Sequence, residues 1–294
     1  MSAPVIQINK IRKSYKNVLV LDELSANIEA GQIIGLVGRN GAGKTTLIES
    51  IMGLREIENG DIQVWGENLG ELSQDQKEQI GFVPQDSIGF EWMKVGHYLE
   101  YFGGFFAGWD SDYSKELTKR WKLDNKSRIA DLSGGQQQIL QVIQALSIKP
   151  KLLILDEPVA HLDPNMRRQF LAELVELACE LGTTVIFSTH IISDLERIAS
   201  HIALLNHGKI THFYELEALK ESAASLLFEK EVVNPEQFTN LINWQTINQG
   251  NKAILASPSE ISVDEMQQQL GINIQAQPLS LEDWYLEVTN EINS

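Results

Sequence analysis

Residues 35 to 47 read Gly35-Leu36-Val37-Gly38-Arg39-Asn40-Gly41-Ala42-Gly43-Lys44-Thr45-Thr46-Leu47. From Gly38 to Thr45 this is G-x-x-x-x-G-K-[ST], and it directly follows the apolar run Ile33, Ile34, Leu36, Val37. A strand, a tight glycine loop and a helix start, in that order, make a cradle for a nucleoside triphosphate. Gly38, Gly41 and Gly43 let the backbone curl with its N–H groups turned inward, toward phosphate oxygens. Arg39, Asn40, Ala42 and Thr46 complete the wrap, and the helix that starts there adds its positive end. Lys44 is placed to reach the β- and γ-phosphates, and the Thr45 hydroxyl to ligate Mg²⁺. The plainer reading, a glycine turn with an incidental lysine, explains neither the flanking strand nor the helix.

Downstream, Leu152-Leu153-Ile154-Leu155-Asp156-Glu157 is an apolar strand that ends in two carboxylates. Asp156 is expected to hold Mg²⁺ and Glu157 to polarise the attacking water. Between these motifs stands Leu132-Ser133-Gly134-Gly135-Gln136, opening a predicted helix over 135–147. Ser133 and the glycine amides at a helix N-terminus make a second anion site. The competing interpretation is a serine N-cap followed by glycines. A single nucleotide needs only one phosphate cradle, so the second is expected to serve a nucleotide held by another subunit.

The chain has 294 residues, of which 43% are hydrophobic, enough to bury a large core. Its single cysteine, Cys179, excludes an internal disulfide framework and is expected to pack in an apolar helical stretch with Leu174, Leu177 and Ala178. No signal pattern stands at the N-terminus, and no apolar run approaches the ~20 residues needed to cross a bilayer. The expectation is a cytoplasmic chain that reaches the inner face of the membrane only through a partner. The formal charge is −16, and residues 213–294 hold 13 acidic against 3 basic side chains. Such a balance disfavours nucleic acid as a partner, and it also serves solubility.

Alternation over residues 4–34 predicts a small antiparallel sheet. From Ile33 strand and helix patterns alternate, with strands at 32–37, 62–65, 80–83, 152–156, 184–188 and 202–205. Helices are predicted at 43–52, 135–147, 165–181 and 191–200. The fold class is therefore α/β, a mostly parallel sheet with helices on both faces. An aromatic-rich helical insertion occupies 88–131, part of a helical subdomain of about 88–147. The composition shifts near residue 213. A helical 215–228 and alternating runs at 229–233 and 252–256 predict a small α+β appendage over 213–294, distinct from the ATPase domain of 1–212.

In these motifs the chain resembles the ATP-binding subunits of ABC transporters, over residues 4 to about 212. The family's P-loop, signature and acidic strand match Gly38–Thr45, Leu132–Gln136 and Leu152–Glu157. The resemblance implies that Gln85, in Phe82-Val83-Pro84-Gln85, touches Mg²⁺ and senses the γ-phosphate. His190, in Ser188-Thr189-His190, would be the switch histidine on that phosphate. Asp163, in His161-Leu162-Asp163-Pro164, would lie between subunits, and Tyr15 would stack on adenine. Taken as single residues, these are also an ordinary sheet aromatic, a strand-end histidine and loop polar groups; their order and spacing carry the resemblance.

Phe187–Arg197 and Ser280–Thr289 look like the ABC-2 type drug and antibiotic exporter branch, nearest its YtrB-like members. The family usually has Arg or Lys where Ile139 and Gln144 stand, Thr or Ser at Val159, and Gly or Ala at His161. The implied function is an ATPase that uses ATP and Mg²⁺, forms a homodimer or pairs with a related subunit, and drives export through a membrane permease. A soluble ABC ATPase without a transporter, a non-hydrolysing nucleotide sensor and an importer subunit stay as alternatives.

Overall fold

The computed structural model describes residues 3–85, 89–160, 162–228, 241–247, 250–255, 267–268 and 273–290. The chain divides into two compact units, Met1–Phe213 and Tyr214–Ser294. In chain order the first begins with β1 (Ile6–Tyr15), β2 (Val18–Ile28), β3 (Ile33–Val37), α1 (Lys44–Ile51), β4 (Asn59–Val64), β5 (Glu67–Asn68), α2 (Gln74–Lys77) and β6 (Ile80–Val83). It continues with α3 (Val95–Gly103), α4 (Ser111–Arg120), α5 (Gly134–Leu146), β7 (Leu152–Leu155), α6 (Pro164–Leu181), β8 (Thr184–Ser188), α7 (Ile192–Ile198), β9 (His201–Asn206) and β10 (Lys209–Glu215).

Two sheets build this unit. The first, in the order β2-β1-β4-β5, is antiparallel, with Ile6 opposite Ile28 and Ile8 opposite both Ala26 and Ile62. The second runs β10-β9-β3-β8-β7-β6, and the pairs from β9 through β6 are parallel. Every residue of β3, β7 and β8 is buried, as expected of strands covered on both faces. Ile6, Ile8, Leu21 and Leu24 of the antiparallel sheet share one core with Ile34 and Leu36 of β3 and with Leu47, Ile48 and Ile51 of α1. That core fixes the loop between β3 and α1 from both sides. Beyond β6, helices α3 and α4 pack on α5.

The strand predicted at 62–65 is real but lies in the other sheet, as part of β4, paired antiparallel with β1. Only Ile62 and Val64 on it are buried, so its alternation marks a one-sided strand where a doubly covered one was expected. Cys179 is exposed, contrary to expectation. It lies on the side of α6 away from Leu174, Leu177 and Ala178, all of which are buried.

In the second unit, α8 (Leu216–Ser222) is followed by β11 (Ala224–Phe228), so the predicted helix over 215–228 ends early. Ser225, Leu226 and Phe228 on β11 are buried beside β13 and β14, and cross-strand pairing overrides the helical pattern. The sheet runs β12 (Leu241–Ile247), β13 (Gly250–Leu255), β11, β14 (Gln275–Pro278) and is antiparallel, with α9 (Leu281–Asn290) closing the unit. The run predicted at 252–256 falls mostly on β13, and that at 229–233 lies outside the described residues. Among the described residues no helix is long and apolar enough to cross a membrane.

Candidate functional site

The loop between β3 and α1 needs its glycines for different reasons. Gly43 has φ 105°, a conformation side chains resist. At Gly38 the constraint is space, since a Cβ would stand 2.4 Å from the Leu205 carbonyl oxygen. Gly43 is the N-cap of α1, without a side-chain cap and without an acidic residue in the first turn. The first amides of α1 are thus left to an outside anion, reinforced by the helix dipole.

A cleft of about 380 Å³ opens at this point, lined by Tyr15, Val20, Asn40, Gly41, Gly43, Lys44, Thr45, Thr46, Gln85 and Glu157. Lys44 Nζ donates to the Gly38 carbonyl oxygen at 2.9 Å and lies 3.6 Å from Glu157 Oε1. The other oxygen of Glu157 is 2.9 Å from His190 Nδ1. An ionised carboxylate only accepts, so the imidazole donates from Nδ1. Lys44 and Glu157 are 7% and 8% exposed, so this contact is poorly screened. Glu157 adopts φ 49°, left-handed backbone that turns the chain just beyond β7.

Asp156, one residue earlier, is buried. Its backbone N–H donates to the Val83 carbonyl oxygen at 2.9 Å, and its Oδ1 accepts from Ser188 Oγ at 2.6 Å. Ser188 Oγ accepts in turn from the Glu157 N–H at 2.8 Å. One hydroxyl at the end of β8 therefore fixes both carboxylate residues. Sequence reading passed over Ser188, although its position just before Thr189-His190 was a usable signal. It also passed over Val20, an apolar residue facing the cleft beside Tyr15.

His190 does not line the cleft but reaches Glu157. Gly38, Arg39 and Ala42 form the turn beneath it, where the Ala42 N–H donates to the Arg39 carbonyl oxygen. Ser133, Gly134, Gly135, Gln136 and Asp163 are not part of this cleft within one chain. Ser133 caps α5 reciprocally: its Oγ accepts from the Gln136 N–H, and Gln136 Oε1 accepts from the Ser133 N–H. Asp163 caps α6 by accepting from the Asn165 and Met166 N–H groups. Ile139, where a basic residue was expected, is fully buried, and Gln144 accepts a hydrogen bond from the buried Tyr98 hydroxyl on α3. Val159 is buried, while His161 lies outside the described residues.

Residues 21–160 match the family model described as ABC transporter. The Nod factor export ATP-binding protein I of Rhizobium sp. (strain N33) is 31% identical over 302 residues, covering 98% of this chain and 98% of its own. The Fe(3+) ions import ATP-binding protein FbpC 2 of Haemophilus influenzae is 28% identical, over 88% of this chain and 80% of its own. A solved ATP binding subunit of an ABC transporter superposes with a TM-score of 0.67 at 25% identity, over 74% of this chain and 92% of that one. The loop geometry and a relative matched over nearly its whole length agree: the chain belongs to the ATP-binding subunits of ABC transporters, the ABC ATPases.

Proposed function

We propose that this ATPase dimerises head to tail around two ATP molecules and drives export through a membrane permease at the cytoplasmic face. Each ATP would lie between Lys44 of one chain and Ser133 of the other. The observation that carries this reading is the buried Glu157 carboxylate lining the cleft, between Lys44 and His190. Phosphate oxygens compete with the Gly38 carbonyl for the Lys44 ammonium. Released from Lys44, Glu157 accepts a proton from the attacking water as its oxygen bonds to the γ-phosphorus and the bond to ADP breaks. His190 holds the carboxylate in place through this step.

Thr45, Gln85 and Asp156 offer only oxygen donors, which suits a hard divalent cation that keeps waters and phosphates as its other ligands. They would hold Mg²⁺, which when bound neutralises charge on the β- and γ-phosphate oxygens.

Ser133 meets its own helix start in the single chain, so the anion site of Gly134 and Gly135 is completed only by a nucleotide presented from outside. An exposed aromatic surface on the α3 side supports the permease reading. Trp92 is 74% and Phe105 59% exposed, and Phe90, Tyr101, Phe102 and Phe105 stack edge to face. Export as the direction rests on the exporter-like segments Phe187–Arg197 and Ser280–Thr289 and on the full-length similarity to the Nod factor export protein. Residues 213–294 would act as an accessory domain without a part in the chemistry.

A mixed dimer tests the composite site. With Lys44→Ala in one chain and Ser133→Ala in its partner, both lesions fall in one site and the other site stays intact. Site-resolved nucleotide trapping should then show one working site. Equal damage at both would overturn the two-chain arrangement.

A further inference from the structure

Two helices lead away from the ends of the site, and one ion pair joins them, its carboxylate buried and its guanidinium partly exposed. Helix α6 starts at its cap Asp163, and its first turn is closed by the Arg167 N–H donating to the Asp163 carbonyl oxygen at 2.9 Å. Helix α7 starts just after His190, and Asp194 stands one turn beyond that histidine. Arg167 Nη1 lies 3.9 Å from Asp194 Oδ2. Asp194 is 3% exposed.

This pair is incomplete. Arg167 Nε and Asp194 Oδ2 are both buried, and neither has a hydrogen-bond partner among the described residues. Buried carboxylates in native proteins are normally hydrogen-bonded, because an uncompensated one is costly. Burial raises the Asp194 carboxyl above its ordinary value, while Arg167, Arg197 and His190 draw it back. At 3.9 Å, with Arg167 partly open to solvent, the contact does little for stability and leaves room to tighten to hydrogen-bond length.

We propose that Arg167 and Asp194 are a positioning pair that sets α7, and with it His190, against Glu157, and that ties this setting to the Asp163 end of α6. The connection runs from Asp163 along one turn to Arg167, across to Asp194, and back along one turn to His190, which touches Glu157. Neither member touches substrate; each acts through His190. The inference rests on the roles of Glu157, His190 and Asp163 proposed above. In that setting a second chain arriving at Asp163 displaces the start of α6, closes the Arg167–Asp194 gap and steadies His190 as hydrolysis begins.

The test uses full-length protein with Asp194→Asn, Arg167→Gln and the double variant, each checked for folding by circular dichroism. Each single variant should lose roughly tenfold in kcat with KM and ATP affinity within about twofold, since small misplacements of a catalytic group cost rate before binding. The double variant should be no slower than the slower single one, because members of one contact are not additive. Asp194→Glu with Arg167 intact should recover part of the loss. Wild-type kcat in both single variants would overturn the proposal, as would multiplicative losses in the double variant or a parallel loss of ATP affinity. If a charge-removing variant does not fold, Arg167→Lys and Asp194→Glu decide by the same kcat and KM readings. Glu157→Gln serves as the control: wild-type turnover there would sink the Glu157 assignment, whatever the pair does.

Discussion

His190 Nδ1 lies 2.9 Å from Glu157 Oε2, joining the end of β8 to the end of the neighbouring strand β7. Lys44, the first residue of α1 after β3, approaches the other oxygen of the same carboxylate. Because β3, β8 and β7 are adjacent in one parallel sheet, their C-terminal ends deliver all three side chains to one place. Sheet order, more than any loop, assembles this part of the site.

Ser188→Ala should disturb the site and the fold together. The Ser188 hydroxyl is partner to both Asp156 Oδ1 and the Glu157 N–H, and all of these groups are buried. Leaving such groups unpaired costs about 1–3 kcal/mol, more where one is charged. Urea unfolding should show that loss and steady-state turnover should fall. Wild-type stability would contradict the role given to this hydroxyl.

Tyr98→Phe probes the join between α3 and α5. The Tyr98 hydroxyl donates to Gln144 Oε1, and the ring packs with Phe102 at a centroid distance of 4.5 Å. Removing the hydroxyl keeps the packing and should cost about 1 kcal/mol, read as a lower melting temperature. ATP affinity should be unchanged, because neither residue lines the cleft.

Gly38–Thr45 and Glu157 stood out in the sequence as residue types at fixed spacing, and the structure brings Lys44 and Glu157 to one cleft. The doubly covered strands were legible as continuous apolar runs. Ser188 escaped because, although it stands just before Thr189-His190, its partners Asp156 and Glu157 lie 32 and 31 residues away at the end of the neighbouring strand. The join of Gln144 to Tyr98, across 46 residues, carries no local pattern. Cys179 was misread because an apolar helix face was extended by one position onto its exposed side.

Asp110→Ala supplies a pH-dependent test of the α4 start. Asp110 accepts from the Asp112 and Tyr113 N–H groups and lies 2.8 Å from Lys149 Nζ. The hydrogen bond from Lys149 first, then that from the Tyr113 backbone, hold its carboxyl below the ordinary value. The folded state therefore favours the charged form, so the contribution is present above the unfolded value and is lost as pH falls through the folded one. At pH 7 the variant should be less stable by about 1 kcal/mol, mostly the helix cap, since a surface ion pair adds little. The gap should only begin to narrow below about pH 4 and should shrink further as pH falls through the lowered folded value. A gap undiminished at pH 2 would contradict the electrostatic cause.

A chain ending at Glu215 keeps β10 as the edge strand of the parallel sheet and every residue lining the cleft. Folded by circular dichroism, it should bind ATP with an affinity within about threefold of the full chain, a window set by the roughly 0.7 kcal/mol that threefold represents. Fluorescence titration measures this. A folded truncate that does not bind ATP would mean that residues after 215 help to build the nucleotide site.

Glu157→Gln bears most directly on the mechanism. The substitution keeps the size of the side chain and leaves Lys44, Thr45 and Asp156 in place, but removes the carboxylate proposed to take the water's proton. Steady-state hydrolysis should fall on the order of 10²-fold or more, with ATP affinity retained. With Mg²⁺ and ATP the variant should accumulate as a dimer, visible by light scattering. Hydrolysis near the wild-type rate would contradict the central role assigned to Glu157.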